Sequence, residues 1–208
     1  MKKLKFKKKL IIFDLDGVLI DSKLNMNLAW NSVRKKYNLT YSFQKYFYHV
    51  GKPFEKILEN LGILENHLNI KREYEKSSIK NFNKIKLYKG VKKTLKFLKE
   101  ENIKTAIVTS KNLKRTKLIL KKFDINVNFI QCPSKSLRGK PFPDQILNTI
   151  KKFRFKKKFC AYIGDTKFDK LASERSKIDF IFASYGYKIG IKRFKNQIKS
   201  IFQVTDFI

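Results

Sequence analysis

The stretch Ile11-Ile12-Phe13-Asp14-Leu15-Asp16-Gly17-Val18 decides the fold of this chain, because an apolar run is followed directly by two carboxylates and a glycine turn. A buried strand that ends at a catalytic edge has this pattern. In an extended segment, positions i and i+2 share a face, so Asp14 and Asp16 are expected to lie close together. Crowded carboxylates without a partner are costly. The pair therefore calls for a metal ion, for a nucleophile with its acid/base, or for both.

The rest of the chain alternates between short apolar runs and amphipathic stretches, which indicates strands separated by helices. The expected strands are 9–14, 105–109, 127–130, 159–164 and 178–183, and the expected helices are 90–100, 113–123 and 143–153. This order predicts an α/β fold whose core is a Rossmann-like parallel sheet with helices on both faces. Ligands bind such sheets at the carboxyl ends of the strands.

The stretch 22–87 departs from this order and has a mostly helical pattern, with expected helices at 24–37, 43–48, 54–61 and 68–82. A helical insertion directly after the first strand would lie above the strand ends as a lid. We therefore expect an α/β core domain of residues 1–21 and 88–208 and a small all-helical cap domain of residues 22–87. The aromatic residues at the start of the cap are expected to form its own small core; they are Trp30, Tyr37, Phe43, Tyr46, Phe47 and Tyr48.

Composition narrows the class of protein. Of the 208 residues, 42% are hydrophobic, which is enough for a substantial core. The formal net charge of +32 comes mostly from lysines along the whole chain, a pattern that favours a compositional bias over a specific nucleic-acid site. With only two cysteines, Cys132 and Cys160, and no apolar run of membrane-spanning length, we expect a cytoplasmic protein without disulfides or a membrane partner.

Polar clusters stand at four places where the predicted topology puts strand ends or the loop before a helix. They are Asp14-Leu15-Asp16-Gly17, Thr109-Ser110, Gly139-Lys140-Pro141 and Gly164-Asp165-Thr166-Lys167-Phe168-Asp169. One such cluster alone would be weak evidence. All four in this order predict a single catalytic site at one edge of the sheet.

These motifs resemble those of the haloacid dehalogenase superfamily phosphatases with a helical cap, and the resemblance covers essentially the whole chain. The run from Asp14 to Ser22 is similar to the nucleophile motif of the branch that holds phosphoglycolate phosphatases and β-phosphoglucomutases. The runs 139–144 and 164–169 fit the same branch. The Tyr185-Gly186-Tyr187 run is similar to the aromatic-Gly-Tyr motif after the last core strand in phosphoglycolate phosphatase-like members.

The resemblance implies a phosphatase that depends on Mg²⁺ and hydrolyses a small phosphomonoester, of the phosphoglycolate or sugar phosphate type, through an aspartyl-phosphate. It implies that Asp14 is the nucleophile and that Asp16 protonates the leaving alkoxide and then activates water. The metal ligands would be Asp14, Asp165 and the backbone carbonyl of Asp16.

The remaining roles implied by the resemblance surround the phosphoryl group. The Thr109 hydroxyl would hold a phosphoryl oxygen, and Lys140 would neutralise the transferring group. Asp169 would orient Lys140 or a metal-bound water. The expected substrate contacts are Ser110, Gly17 and Lys52.

The sequence departs from the family pattern in two places. No glycine closes the helix that follows Asp169, which concerns the local geometry and not the catalysis. The cap is short for its branch, so the substrate does not follow from the resemblance. A β-phosphoglucomutase-like phosphomutase is one alternative. A basic nucleic-acid-binding protein, or a phosphatase of nucleic-acid ends, is another. A monomer and a homodimer are both compatible with the sequence.

Overall fold

The computed structural model describes residues 7–208, so the first six residues of the predicted core domain lie outside the described part of the chain. The strands are β1 (Leu10–Phe13), β2 (Ile20–Asp21), β3 (Lys86–Leu87), β4 (Lys104–Val108), β5 (Phe129–Gln131), β6 (Cys160–Gly164), β7 (Asp179–Ala183) and β8 (Gln197–Ile198). The α-helices are α1 (Lys23–Tyr37), α2 (Phe43–Phe47), α3 (Phe54–Asn60), α4 (His67–Lys80), α5 (Val91–Glu100), α6 (Leu113–Phe123), α7 (Asp144–Phe153) and α8 (Lys167–Ser176). Short 3₁₀ helices cover Phe82–Lys84, Lys157–Phe159 and Ile201–Phe207.

Six strands form one sheet in the order β5-β4-β1-β6-β7-β8, with β1 near its centre. β1 pairs in parallel with both β4 and β6, so Phe13 lies opposite Ile107 on one side and Ile163 on the other. Because these strands run in the same direction, their carboxyl ends meet at one edge of the sheet. The predicted α/β fold with a parallel sheet is confirmed.

Burial of both sheet faces explains why β1 is apolar throughout. Ile11 and Phe13 pack into a cluster on one face, whereas Leu10 and Ile12 pack into a second cluster on the other. All four side chains are fully buried. At about 1.5–3 kcal/mol for each buried side chain, this strand is a major stabilising element of the core.

The predicted helical stretch is also present, as α1 to α4. It leaves and re-enters the core through a short antiparallel ribbon that the sequence pattern does not show, in which Ile20 of β2 lies opposite Leu87 of β3. The ribbon brings the two ends of the helical stretch together at one point. Across residues 7–208, no helix combines the length and the apolar character needed to cross a membrane.

Most of the aromatic residues expected in the cap core are there. Trp30 is fully buried and stacks on Tyr46, with ring centroids 4.5 Å apart. The prediction is wrong for Tyr48, which is 54% exposed. Tyr48 follows the last residue of α2, and its hydroxyl accepts a hydrogen bond of 2.9 Å from Lys167 on the core.

The helix α8 ends without a glycine, as the sequence requires. Lys177 takes the left-handed conformation instead, with φ of 57°. Its N–H donates to the Glu174 carbonyl at 3.0 Å, which satisfies one of the free carbonyls at the end of the helix. The strained conformation costs about 1–2 kcal/mol.

Candidate active site

Asp14 lies directly after the central strand and is buried. Its backbone N–H donates to the Ile163 carbonyl at 2.9 Å, which extends the pairing with β6 by one residue. One of its carboxylate oxygens, Oδ1, lies 3.0 Å from Lys140 Nζ. Burial raises the pKa of Asp14 to about 7; Lys140 opposes this shift, and the carboxylates of Asp169 and Asp16 add to it. A second cation is therefore needed to hold the carboxylate fully charged.

Lys140 is placed among acids at the centre of the site. It is 1% exposed, and Nζ lies 2.7 Å from Asp169 Oδ1 and donates to the Tyr162 hydroxyl at 3.2 Å. Burial alone would lower the pKa of Lys140, but Asp14 and Asp169 outweigh it and hold the pKa above its usual range. The ammonium group therefore stays charged although it is out of contact with solvent.

Asp169 is fully occupied by hydrogen-bond donors. Its Oδ1 accepts from Lys140 at 2.7 Å and from the Tyr162 hydroxyl at 3.1 Å. Its Oδ2 accepts from the Thr166 N–H at 3.0 Å and from the Thr166 hydroxyl at 2.7 Å. The Asp169 N–H donates to Thr166 Oγ1 at 3.3 Å, which completes a capping box at the start of α8. Asp169 thus fixes both the lysine and the first turn of the helix.

Asp165 has a carboxylate oxygen to spare. Its Oδ2 accepts the Tyr187 N–H at 2.6 Å, whereas Oδ1 is buried and has no hydrogen-bond partner within residues 7–208. Carboxylate oxygens of Asp14, Asp165 and Asp169 all lie within 4.8 Å of one another. Burial raises the pKa of Asp165 well above its usual value, and the other two acids add to the shift. An unpartnered oxygen within a crowded, buried acidic cluster fits a divalent cation.

Two glycines allow the chain to close around Asp165. Gly17 has φ of +83°, and a Cβ at this position would lie 2.1 Å from Asp165 Oδ2. At Gly186, a Cβ would lie 2.2 Å from the Gly17 carbonyl oxygen and also clash with Asp165. Gly17, an expected substrate contact, therefore lies against the acid of the candidate metal site.

Asp16 has partners of its own. The Ser22 hydroxyl donates to its Oδ1, and its Oδ2 lies 3.3 Å from Lys111 Nζ. The Ser22 N–H in turn donates to the Tyr187 hydroxyl at 2.8 Å. β1 ends at Phe13, so the strand alternation used in the sequence argument does not extend to Asp16. Its carboxylate is not part of the acidic cluster found in the described residues.

The other predicted residues lie around the same site. Thr109 is buried after β4, and its Oγ1 accepts the Lys111 N–H at 3.2 Å. Ser110 Oγ donates to the Gly51 carbonyl of the helical stretch at 2.7 Å. Lys52 Nζ donates to Asn60 Oδ1 at 3.0 Å, and it lies 4.9 Å from the centre of the Phe168 ring.

One cavity brings most of these side chains together between the sheet and the helical stretch. Its polar side consists of core residues that include Asp14, Asp16, Thr109, Ser110 and Lys140. Its opposite side combines apolar and aromatic residues with charged ones, and it includes Met26, Tyr46, Phe54, Ile57, Tyr74, Lys52, Glu55, Lys71 and Glu75. A cavity with a few placed charged groups among apolar and aromatic side chains suits a small anionic molecule.

The sequence argument missed three cations on the cavity wall, Lys71, Lys111 and Arg115. Lys111 follows Thr109 by two residues, and its place at a predicted strand end was a usable signal. Arg115 lies on α6, where the helical pattern gives no reason to separate it from the surrounding lysines.

Comparisons with known proteins agree with this geometry. A family model described as haloacid dehalogenase-like hydrolase matches residues 11–183. The phosphoglycolate phosphatase of Haemophilus influenzae is 27% identical over 198 residues, which cover 88% of each chain. The phosphorylated carbohydrates phosphatase of Thermotoga maritima is 25% identical over 179 residues, 83% of each chain. Among solved structures, a hydrolase from Pseudomonas syringae has the same fold, with a TM-score of 0.83, 24% identity and 97% of each chain covered.

Proposed function

The chain belongs to the haloacid dehalogenase-like hydrolase family, and on that premise we propose that it is a phosphatase that hydrolyses a small phosphomonoester through a phosphorylated Asp14. The observation that carries this proposal is the buried cluster of Asp14, Asp165, Asp169 and Lys140, of which Asp14 and Lys140 line a cavity of small-molecule character. The named relatives act on phosphoglycolate and on phosphorylated carbohydrates, and both are small phosphomonoesters.

We assign the two acids of the opening motif to different steps. Asp14 attacks phosphorus, and the bond from phosphorus to the leaving alkoxide breaks. Asp16 supplies the proton that the alkoxide takes up, and then accepts a proton from the water that cleaves the aspartyl-phosphate. The separate partners of Asp16, Ser22 and Lys111, support this division, because they hold it apart from the acidic cluster.

Asp14 and Asp165 would hold a divalent cation, which we propose is Mg²⁺, together with the backbone carbonyl of Asp16. When bound, Mg²⁺ neutralises charge on the phosphoryl oxygens. The unpartnered Asp165 Oδ1 supports this assignment. Asp169 is already engaged by four donors, so we assign it to positioning Lys140 and the start of α8.

Lys140 and Thr109 complete the phosphoryl site. Lys140 lies 3.0 Å from the nucleophile, so its charge is beside the group that is transferred. The Thr109 hydroxyl, which accepts a bond from a backbone N–H, keeps its own proton available for a phosphoryl oxygen. Ser110 and Lys52 line the cavity where the helical stretch meets the end of β4.

We further propose that residues 22–87 act as a cap domain on a core of residues 1–21 and 88–208. The β2–β3 ribbon supports this division, because the chain crosses between the two parts at one place. The cavity between this cap and the core is where we place a small phosphorylated metabolite. The two buried, free cysteines support a reducing, cytoplasmic location.

The test is phosphate release from a panel of phosphomonoesters, with and without Mg²⁺, using Asp14→Asn as the blank and Asp124→Asn as the matched control. Asp124 is exposed and remote from the acidic cluster. We expect release that requires Mg²⁺ and survives in Asp124→Asn. Equal release by Asp14→Asn would refute the assignment of the nucleophile.

A further inference from the structure

The cavity holds more cationic side chains than the phosphoryl chemistry uses. Three lysines of its wall are paired with acids of the same wall: Lys140 with Asp14, Lys111 with Asp16 at 3.3 Å, and Lys71 with Glu55 at 2.6 Å. Arg115 has no ion pair within residues 7–208. Lys52, the remaining lysine of the wall, also has no ion pair among these residues, but it is only partly buried and donates to Asn60. Arg115 is therefore the buried cation of this cavity that has no ion-pair partner among the described residues.

The guanidinium of Arg115 is held in place but not satisfied. Arg115 is 5% exposed, and its Nη2 donates to the Ser78 hydroxyl of α4 at 2.5 Å. The guanidinium lies 5.5 Å from the centre of the Phe82 ring. Its other terminal nitrogen, Nη1, is buried and has no hydrogen-bond partner within the described residues. A buried guanidinium with a free N–H edge is arranged to receive an acceptor.

Glu75, an acid on the cavity wall whose charge opposes the lowering of the Arg115 pKa by burial, does not serve as that acceptor. Its Oε1 accepts a hydrogen bond of 2.8 Å from Asn112. Asn112 also caps α6, because its Oδ1 accepts the Arg115 N–H at 2.9 Å. The same asparagine thus keeps Glu75 occupied and fixes the backbone that carries Arg115.

We propose that Arg115 is a specificity-determining residue that binds a carboxylate on the substrate's leaving group, so that the preferred substrate is a short phosphorylated hydroxy acid. This inference rests on the proposed function. The phosphoryl group would lie at Asp14, Thr109 and Lys140, and the carboxylate would reach Nη1 on the same cavity wall. A planar carboxylate matches the planar N–H edge of a guanidinium.

A purely structural role accounts for only part of these contacts. The bond to Ser78 and the contact with Phe82 tie α6 to the helical stretch, and that tie would matter equally for every substrate. The unpartnered Nη1 of a residue that lines the cavity is what a structural tie leaves unexplained. The two roles are therefore separated by substrates that differ only in the carboxylate.

The test compares 2-phosphoglycolate with ethyl phosphate, in which a methyl group replaces the carboxylate. We expect the wild-type protein to have a kcat/KM on the order of 10- to 100-fold higher for 2-phosphoglycolate. Arg115→Met should remove that preference, so kcat/KM should fall far more for 2-phosphoglycolate than for ethyl phosphate. Arg72→Met, which removes an exposed arginine of α4, is the matched control and should keep the preference.

Two outcomes would overturn the inference. One is the absence of any wild-type preference for the carboxylate, a result that does not depend on the folding of a variant. The other is an equal loss on both substrates in Arg115→Met and in the milder Arg115→Gln, which would show a structural tie. Hydrolysis of p-nitrophenyl phosphate that requires Mg²⁺ and Asp14 reports on the proposed function separately. Its absence in the wild-type protein would refute the phosphatase itself.

Discussion

Removal of the charge at Asp14 should stabilise the metal-free protein at neutral and alkaline pH. The pKa of Asp14 rises from 3.8 to about 7 on folding, chiefly because the side chain is buried. The folded chain thus binds a proton that the unfolded chain loses. The stability that this proton provides is complete below pH 4 and is lost as the pH rises toward 7 and above.

The size of the effect follows from the shift. Three pKa units at 1.36 kcal/mol each give about 4 kcal/mol, all of it expressed by pH 8. Asp14→Asn has no carboxyl to ionise, so its free energy of unfolding at pH 8 should exceed that of the metal-free wild type by up to about 4 kcal/mol. At pH 4 the difference should be small.

The assay is urea unfolding at a series of pH values from 4 to 8, in the presence of a chelator and then with Mg²⁺. Mg²⁺ at one hundred times its dissociation constant should stabilise the wild type by about 2.7 kcal/mol and Asp14→Asn much less. Asp124→Asn serves as the control, because Asp124 is 78% exposed and its replacement leaves the buried cluster intact. A stability difference between Asp14→Asn and wild type that does not change with pH would refute this reasoning.

Three further predictions follow from the same contacts. Asp16→Asn should lower turnover of alkyl phosphates by about 10²- to 10⁴-fold. With p-nitrophenyl phosphate it should still release a burst of p-nitrophenolate, because that leaving group needs no proton. Stopped-flow absorbance measures the burst, and its absence would count against the acid/base role of Asp16. Lys140→Met should lower kcat at least 10²-fold and leave Asp169 without its closest cation. Lys140→Arg should not restore the rate. Wild-type activity of either variant in steady-state kinetics would contradict this prediction. Gly186→Ala would place a Cβ 2.2 Å from the Gly17 carbonyl oxygen. It should therefore weaken the stabilisation by Mg²⁺ that is measured in thermal unfolding. An unchanged shift of the unfolding temperature on addition of Mg²⁺ would show that the close packing around Asp165 is dispensable.

The parts of this account that sequence could predict are those encoded by local pattern. β1 and the acids that follow it were predictable, because a fully buried strand needs an apolar run and the chain changes abruptly to polar residues at the sheet edge. The β2–β3 ribbon and β8 were not, since two-residue strands carry no periodicity. Tyr48 was misplaced because aromatic character alone does not show which side of a helix end a residue occupies.

The roles of Asp16 and Arg115 depend on long-range contacts. Asp16 takes its position from Ser22 and Lys111, and the second of these lies on a different strand end. Arg115 is distinguished from its lysine neighbours by its burial and by long-range contacts such as the bond to Ser78, which is 37 residues away in the sequence. A motif predicts that a residue lies at an edge of the sheet, but it does not predict which side chain from another element will contact that residue.

The central claim, that Asp14 carries the phosphoryl group, is tested most directly by mass spectrometry of the acid-quenched Asp16→Asn variant during turnover of p-nitrophenyl phosphate. Because this leaving group needs no proton and the variant lacks the base that activates water, the phosphorylated enzyme should accumulate. We predict that the peptide containing Asp14 gains the mass of one phosphoryl group and that Asp14→Asn in the same background does not. Phosphorylation at another residue, or turnover with no phosphorylated peptide in the quenched samples, would contradict the account.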